Sequence, residues 1–135
     1  MSIVFFNRKK IKHIKDTINT DPEFKLNARF MTDRVHFAAD EKECIFDIRD
    51  GELKEIILSP CVEPWSYSIK GTAEAWKMLL QPVPPPFHDS LWTNLQRGNL
   101  KLEGNLEAAY AHFWVAVRII EILKQLQNNS QLERK

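Results

Sequence analysis

The sequence predicts an α+β domain, an antiparallel sheet with helices gathered over one face. Three observations carry that reading. Residues 34 to 58 alternate apolar and polar side chains in successive runs broken by turn signals, the period of half-buried strands. The segments on either side, 8 to 30 and 72 onward, place apolar residues at three- and four-residue spacing, the period of amphipathic helices. At 135 residues, with 44% hydrophobic and 27% charged side chains and a formal net charge of +1, the chain has the makeup of one globular domain spanning 1–135. That balance gives no global pull toward nucleic acid, and no such partner is expected.

The opening MSIVFF is too short an apolar run for a signal peptide, and its charges follow it instead of preceding it. The two cysteines, Cys44 and Cys61, read as small buried hydrophobes with reduced thiols, and the expectation is a cytoplasmic protein. In NRKKIKHIKDTI, Ile11, Ile14 and Ile18 share one helical face while Arg8, Lys9, Lys10, Lys12 and Lys15 crowd the other sides. Residues 1–20 are therefore read as a basic amphipathic N-terminal helix. Lys9, Lys10, Lys12 and Lys15 could meet an anionic membrane surface or an acidic partner; alternatively, the lysine face is simply solvated while three isoleucines pack on the core. Asp21-Pro22-Glu23 then supplies a capping acid, a proline at the first helical position and an acid in the first turn. A second short helix should carry Phe24, Leu26 and Phe30.

The period then changes to two. In RVHFAAD, Val35, Phe37 and Ala39 alternate with Arg34, His36 and Ala38; in ECIFDIRDG, Cys44, Phe46 and Ile48 alternate with Asp47 and Arg49. Asp40 to Glu43 is a connection of hairpin length, and Asp50-Gly51 is a tight-turn signal before ELKEIIL. These three strands form an antiparallel meander, which WSYSIKG (65–71) extends to about four strands. Thr72 caps a helix through AEAWKMLL, with Trp76, Leu79 and Leu80 on its apolar side. VPPP at 83–86 is a stiff spacer before FHDSLWTNLQRG, where Phe87, Leu91, Trp92 and Leu95 recur at helical spacing. NLKLEGN is one more short strand. A long helix from about Leu106 to Gln127 follows, and 128–135 reads as a frayed tail.

Catalysis finds little support. The four histidines, at 13, 36, 88 and 112, lack zinc-site spacing. His88-Asp89-Ser90 has the residue types of a hydrolytic triad, but adjacent residues on one turn point in different directions and cannot form a relay. There is no G-x-S-x-G elbow and no P-loop, and four glycines leave little from which to build a phosphate cradle. No catalytic residue, metal or cofactor is expected.

The most informative stretch is AAYAHFWVAVRIIEIL (108–123), too apolar for an ordinary surface helix and too short to span a bilayer, which takes about 20 residues. Its polar strip runs through Glu107, Arg118, Glu121 and Gln125, with Ala111 and Trp114 interrupting it. Phe113, Val117, Ile120 and Leu123 lie opposite and are expected to face the interior. Trp114 is a candidate dimer contact, and His112, to one side, reads as a satisfied core or boundary histidine, with a head-group ligand as the alternative.

SYSIKGTAEAWKMLL (66–80), followed by NLQRGNLKLEGNLEAA (94–109), resembles the sterol carrier protein 2 (SCP2) family of lipid-binding domains. That family has a strand, a Gly-Ser or Gly-Thr step, a helix with an aromatic such as Trp76, and later G-x-L-K-x-x-G-D-L. Gly98, Leu100, Lys101, Gly104 and Leu106 fit this pattern, with Asn105 in place of Asp as a near-equivalent helix cap. The resemblance implies a five-stranded, mainly antiparallel sheet with helices over one face and a long C-terminal helix. It also implies a non-catalytic domain that holds a fatty acid, fatty acyl chain, sterol or isoprenoid-like lipid in an internal apolar cavity. Candidate lining residues are Trp76, Leu79, Leu80, Phe87, Leu91, Trp92, Leu95, Phe113, Val117, Ile120 and Leu123, because a lipid cavity is made from the same residue types as a core. The alternative is a dimerising, scaffolding or accessory domain that partners an enzyme of lipid-like substrates.

Overall fold

The structure, a computed structural model, describes residues 7–84 and 88–133, the side chains of 130–133 excepted. After a 3-10 turn at Arg8–Lys10 come α1 (Ile11–Thr20) and α2 (Pro22–Ala28). Strands β1 (Asp33–Ala39), β2 (Lys42–Arg49), β3 (Glu52–Leu58) and β4 (Tyr67–Gly71) follow. Then come α3 (Ala73–Leu79), α4 (Leu91–Arg97), β5 (Leu100–Gly104), α5 (Leu106–Ala111) and α6 (Phe113–Glu133). No helix among the described residues is long and apolar enough to cross a membrane.

Local chemistry sets most of these boundaries. Asp21 accepts a hydrogen bond from the Phe24 amide at 2.8 Å, Thr72 from Ala75, Ser90 from Thr93 and Asn105 from Ala108, so each short helix starts on a capping oxygen. Asp50 and Gly51 both hold positive φ, 50° and 78°, as a two-residue hairpin turn requires. A Cβ on Gly51 would come within 2.9 Å of the Ala28 carbonyl oxygen, so the turn also needs glycine for space.

The sheet order is β3-β2-β1-β4-β5, antiparallel throughout except for the parallel β1–β4 pair. This corrects the meander expected of the first four strands. β4 crosses to the far side of β1, and the segment between β3 and β4 is the crossover. Alternation along a strand reveals which residues share a face but not which strand lies alongside, so the period could not predict this step.

The helix-covered face carries Val35, Phe37, Phe46, Ile48, Tyr67 and Ile69, all at most 1% exposed. Phe37 meets Phe46 and Trp76 edge to face, and the Trp76 indole N–H donates to the Ala38 carbonyl at 2.8 Å. Ile14 and Ile18 of α1 and Phe24 and Ala28 of α2 complete this core. Leu26 and Phe30, expected on the apolar side of α2, instead face solvent. Phe24 and Ala28, one turn apart, already fill the side of that helix that packs on the core.

The opposite face is not the solvated one that period two suggested. His36, Ile45, Asp47 and Ser68 are at most 4% exposed: the crossover lies over His36, and the Arg34 and Arg49 guanidinium groups lie against Asp47. Trp65 stacks on His36 with ring centroids 5.2 Å apart, Ser66 donates its amide to the Arg34 carbonyl, and Arg34 reaches the Pro64 carbonyl. Beneath it, His36 bridges Ser68 Oγ and Glu43 Oε1, both at 2.7 Å, and that imidazole holds the Glu43 carboxyl below the usual range.

The long C-terminal helix also differs from expectation. It breaks at His112 (φ −124°, ψ 37°) into α5 and α6. Past Gln127, the stretch read as a frayed tail is helical as far as Glu133, and Asn128 donates to the Leu80 and Lys124 carbonyls.

Candidate functional site: an apolar cleft beside the helix break

The break at His112 turns Tyr110, Phe113 and Trp114 toward the start of α4. Between them opens a cleft of about 550 Å³ lined by Ser90, Leu91, Trp92, Tyr110, Phe113, Trp114 and Val117. That volume falls within the usual range for small-molecule sites, about 300 to 1,000 Å³. Its walls are largely apolar, and the side-chain polar groups of its lining are the Ser90 and Tyr110 hydroxyls and the Trp92 and Trp114 indole N–H groups. Trp92 meets Phe113 edge to face, Phe113 meets Trp114 likewise, and Tyr110 stacks on Phe113 with centroids 6.4 Å apart. Trp92, Tyr110 and Trp114 are 52%, 57% and 69% exposed, so this aromatic group faces solvent as well as the cleft.

Of the residues predicted to line a cavity, the structure brings Leu91, Trp92, Phe113 and Val117 together here. Trp76, Leu79, Leu80, Ile120 and Leu123 are buried in the core and do not line this cleft, and Leu95 is half-buried against that core. Phe87 lies outside the described residues. The cleft therefore lies between α4 and α5–α6, on the outer side of the core. Ser90 and Tyr110 were missed. Tyr110 stands three residues before Phe113, one helical turn, and that spacing was the available signal.

A polar cluster lies under the same helix break. Val35 pairs with Tyr67 across the parallel β1–β4 ladder, and Asp33, two residues back, shares the helix-covered face with them, near enough for its carboxylate to act on the Tyr67 phenol. His112 Nδ1 comes within 4.0 Å of Asp33 Oδ2. Neither Tyr67 Oη nor His112 Nδ1, both buried, has a hydrogen-bond partner among the described residues. Burial, aided by the Asp33 carboxylate, raises the Tyr67 phenol above its ordinary pKa, so it is a neutral hydrogen-bonding group.

Other reactive groups are quiet. Burial pushes the Cys44 thiol well above its usual value and Cys61 up to about 11, so neither is a ready thiolate. Ser68 sits in a Ser-His-Glu arrangement but is fully buried beneath the crossover, out of reach of a substrate. No group of three or more His, Cys, Asp or Glu among the described residues is placed to hold a metal ion.

The sequence matches no protein-family model and no curated protein. Solved structures do match. A crystal structure of sterol carrier protein 2 has a TM-score of 0.75 at 13% identity, covering 88% of this chain and 96% of that one. A conserved hypothetical protein of Thermus thermophilus has a TM-score of 0.71 at 13% identity, covering 92% and 90%. UbiJ-SCP2, a ubiquinone synthesis protein, has a TM-score of 0.54 at 10% identity, covering 85% and 92%. The chain has the SCP2 fold.

Proposed function

We propose that this protein, built on the SCP2 fold, binds one apolar chain in the cleft between α4 and α5–α6 without covalent chemistry. A fatty acid, fatty acyl group, sterol or isoprenoid-like lipid is the class of ligand. The observation that carries the reading is the aromatic and aliphatic lining of a roughly 550 Å³ cleft on a fold shared with sterol carrier protein 2. Transfer of the chain out of water is the driving force, about 0.8 kcal/mol per methylene buried. Affinity then rises about fourfold per added methylene until the cleft is full. An open cleft covers a chain incompletely, so binding is reversible and exchange is fast, which suits a carrier.

The test is a titration with saturated fatty acids of increasing length, below their micelle concentrations, reading the fluorescence of Trp92 and Trp114. A steep gain in affinity that reaches a plateau supports the proposal; the absence of saturable binding at every length refutes it. A second reading, an accessory domain presenting a lipid-like substrate to an enzyme, is favoured by two observations. The rim aromatics are exposed enough to meet a protein, and the fold is shared with a ubiquinone synthesis protein. Under that reading an enzyme co-purifies with the protein.

A further inference from the structure

The break at His112 has no local cause: Ala111-His112-Phe113 contains neither glycine nor proline, and His112 leaves helical geometry with ψ at 37°. The only partner that its displaced ring approaches among the described residues is Asp33, at 4.0 Å. Beside Asp33 stands Tyr67, 1% exposed, with its hydroxyl unpartnered among the described residues. A buried hydroxyl and a buried ring nitrogen left without hydrogen bonds each cost free energy, so two in one cluster mark a place built for a polar guest. His112 stands between Tyr110 and Phe113, which wall the cleft, so the polar cluster and the apolar cleft share the same helix break.

We infer that Asp33, Tyr67 and His112 form a head-group site for a neutral hydroxyl, making a long-chain alcohol a better ligand than the corresponding carboxylic acid. This rests on the cleft holding the apolar chain. The chemistry follows from the donor set. A ligand hydroxyl donates to the Asp33 carboxylate and accepts from the Tyr67 hydroxyl or from His112. A ligand carboxylate brings a second negative charge beside Asp33 and has no proton to donate.

The experiment compares 1-hexadecanol with hexadecanoate by tryptophan fluorescence titration at pH 7.5, together with the melting temperature of each variant. For the unmodified protein, hexadecanol is expected to bind about tenfold more tightly. Tyr67→Phe removes only the unpartnered hydroxyl; it should weaken hexadecanol about fivefold and not lower the melting temperature. Asp33→Asn should instead improve hexadecanoate binding. Equal affinities for alcohol and acid that neither substitution alters would overturn the inference while leaving the cleft proposal standing. So would a drop in melting temperature for Tyr67→Phe with unchanged discrimination, which marks a bound water only. Failure of both ligands to bind would overturn the cleft proposal and this inference with it.

Discussion

Trp92 at the start of α4 meets Phe113 at the start of α6 edge to face, with ring centroids 6.0 Å apart and planes at 88°. This contact joins the two walls of the cleft, and such pairs contribute about 0.5 to 1.5 kcal/mol beyond their buried area. The cleft thus has a fixed aromatic side, against which an added side chain or a bound chain must compete.

Val117, half-buried in the cleft wall, is the position where bulk should matter most. Val117→Trp is expected to reduce the affinity for a pyrene-labelled fatty acid at least tenfold, since filling the volume removes the surface on which the chain lies. The melting temperature should change by no more than about 3 °C, because the new ring grows into open space and not into the core. Unchanged probe affinity would remove this wall from the site.

Arg118 of α6 grips Asp21, the N-cap of α2, through two hydrogen bonds of 2.7 and 2.9 Å, and also reaches Glu23 and Glu121. The guanidinium holds the Asp21 carboxyl below the ordinary 3.8. A depressed carboxylate pKa stabilises the fold above its unfolded value, and that contribution is lost as pH falls through the folded value. Asp21→Asn keeps a capping oxygen but removes the charge. It is expected to cost about 1 kcal/mol near pH 7, with the gap to the unmodified protein closing below about pH 4. Urea unfolding across that range checks it, and a gap that persists in acid would contradict the assignment.

Ile14 and Ile18 of α1 are fully buried, so the hydrophobic side of this helix is spent on the core. Its lysine side remains as a membrane candidate. Replacing Lys9, Lys10, Lys12 and Lys15 by Gln should weaken sedimentation with phosphatidylserine vesicles, at about 1 kcal/mol per lysine near the surface, and leave neutral vesicles unaffected. Equal sedimentation of the two proteins would make the helix structural only.

Trp114 projects from α6 at 69% exposure beside the exposed Tyr110, an apolar pair large enough to seed self-association. Trp114→Glu is therefore expected to shift any dimer toward monomer in analytical ultracentrifugation. A sedimentation profile that does not respond would place any dimer contact elsewhere.

Much of the fold was legible because local chemistry decided it. The caps Asp21 and Thr72, the Asp50-Gly51 turn and the apolar alternation of β1 and β2 each act within a few residues and read directly from the chain. The failures are long-range. Strand period says nothing about neighbours, so the crossover that sets β4 beside β1 and covers His36 and Ser68 left no mark on the pattern. Helical spacing correctly set Phe113, Val117, Ile120 and Leu123 on one side, yet it could not say that Ile120 and Leu123 enter the core while Phe113 and Val117 border a cleft. That division depends on which elements pack against each turn of α6, a tertiary matter that spacing along one helix does not carry.

Lipid carriage by this domain is tested by native mass spectrometry of the gently purified protein, followed by denaturing extraction of whatever it carries. A one-to-one adduct of lipid mass, lost on denaturation and displaced by added long-chain ligand, is the predicted result. A clean protein mass, above all as a dimer that takes up no added fatty acid or alcohol, would show that the aromatic cleft is covered by protein and that the domain carries no lipid there.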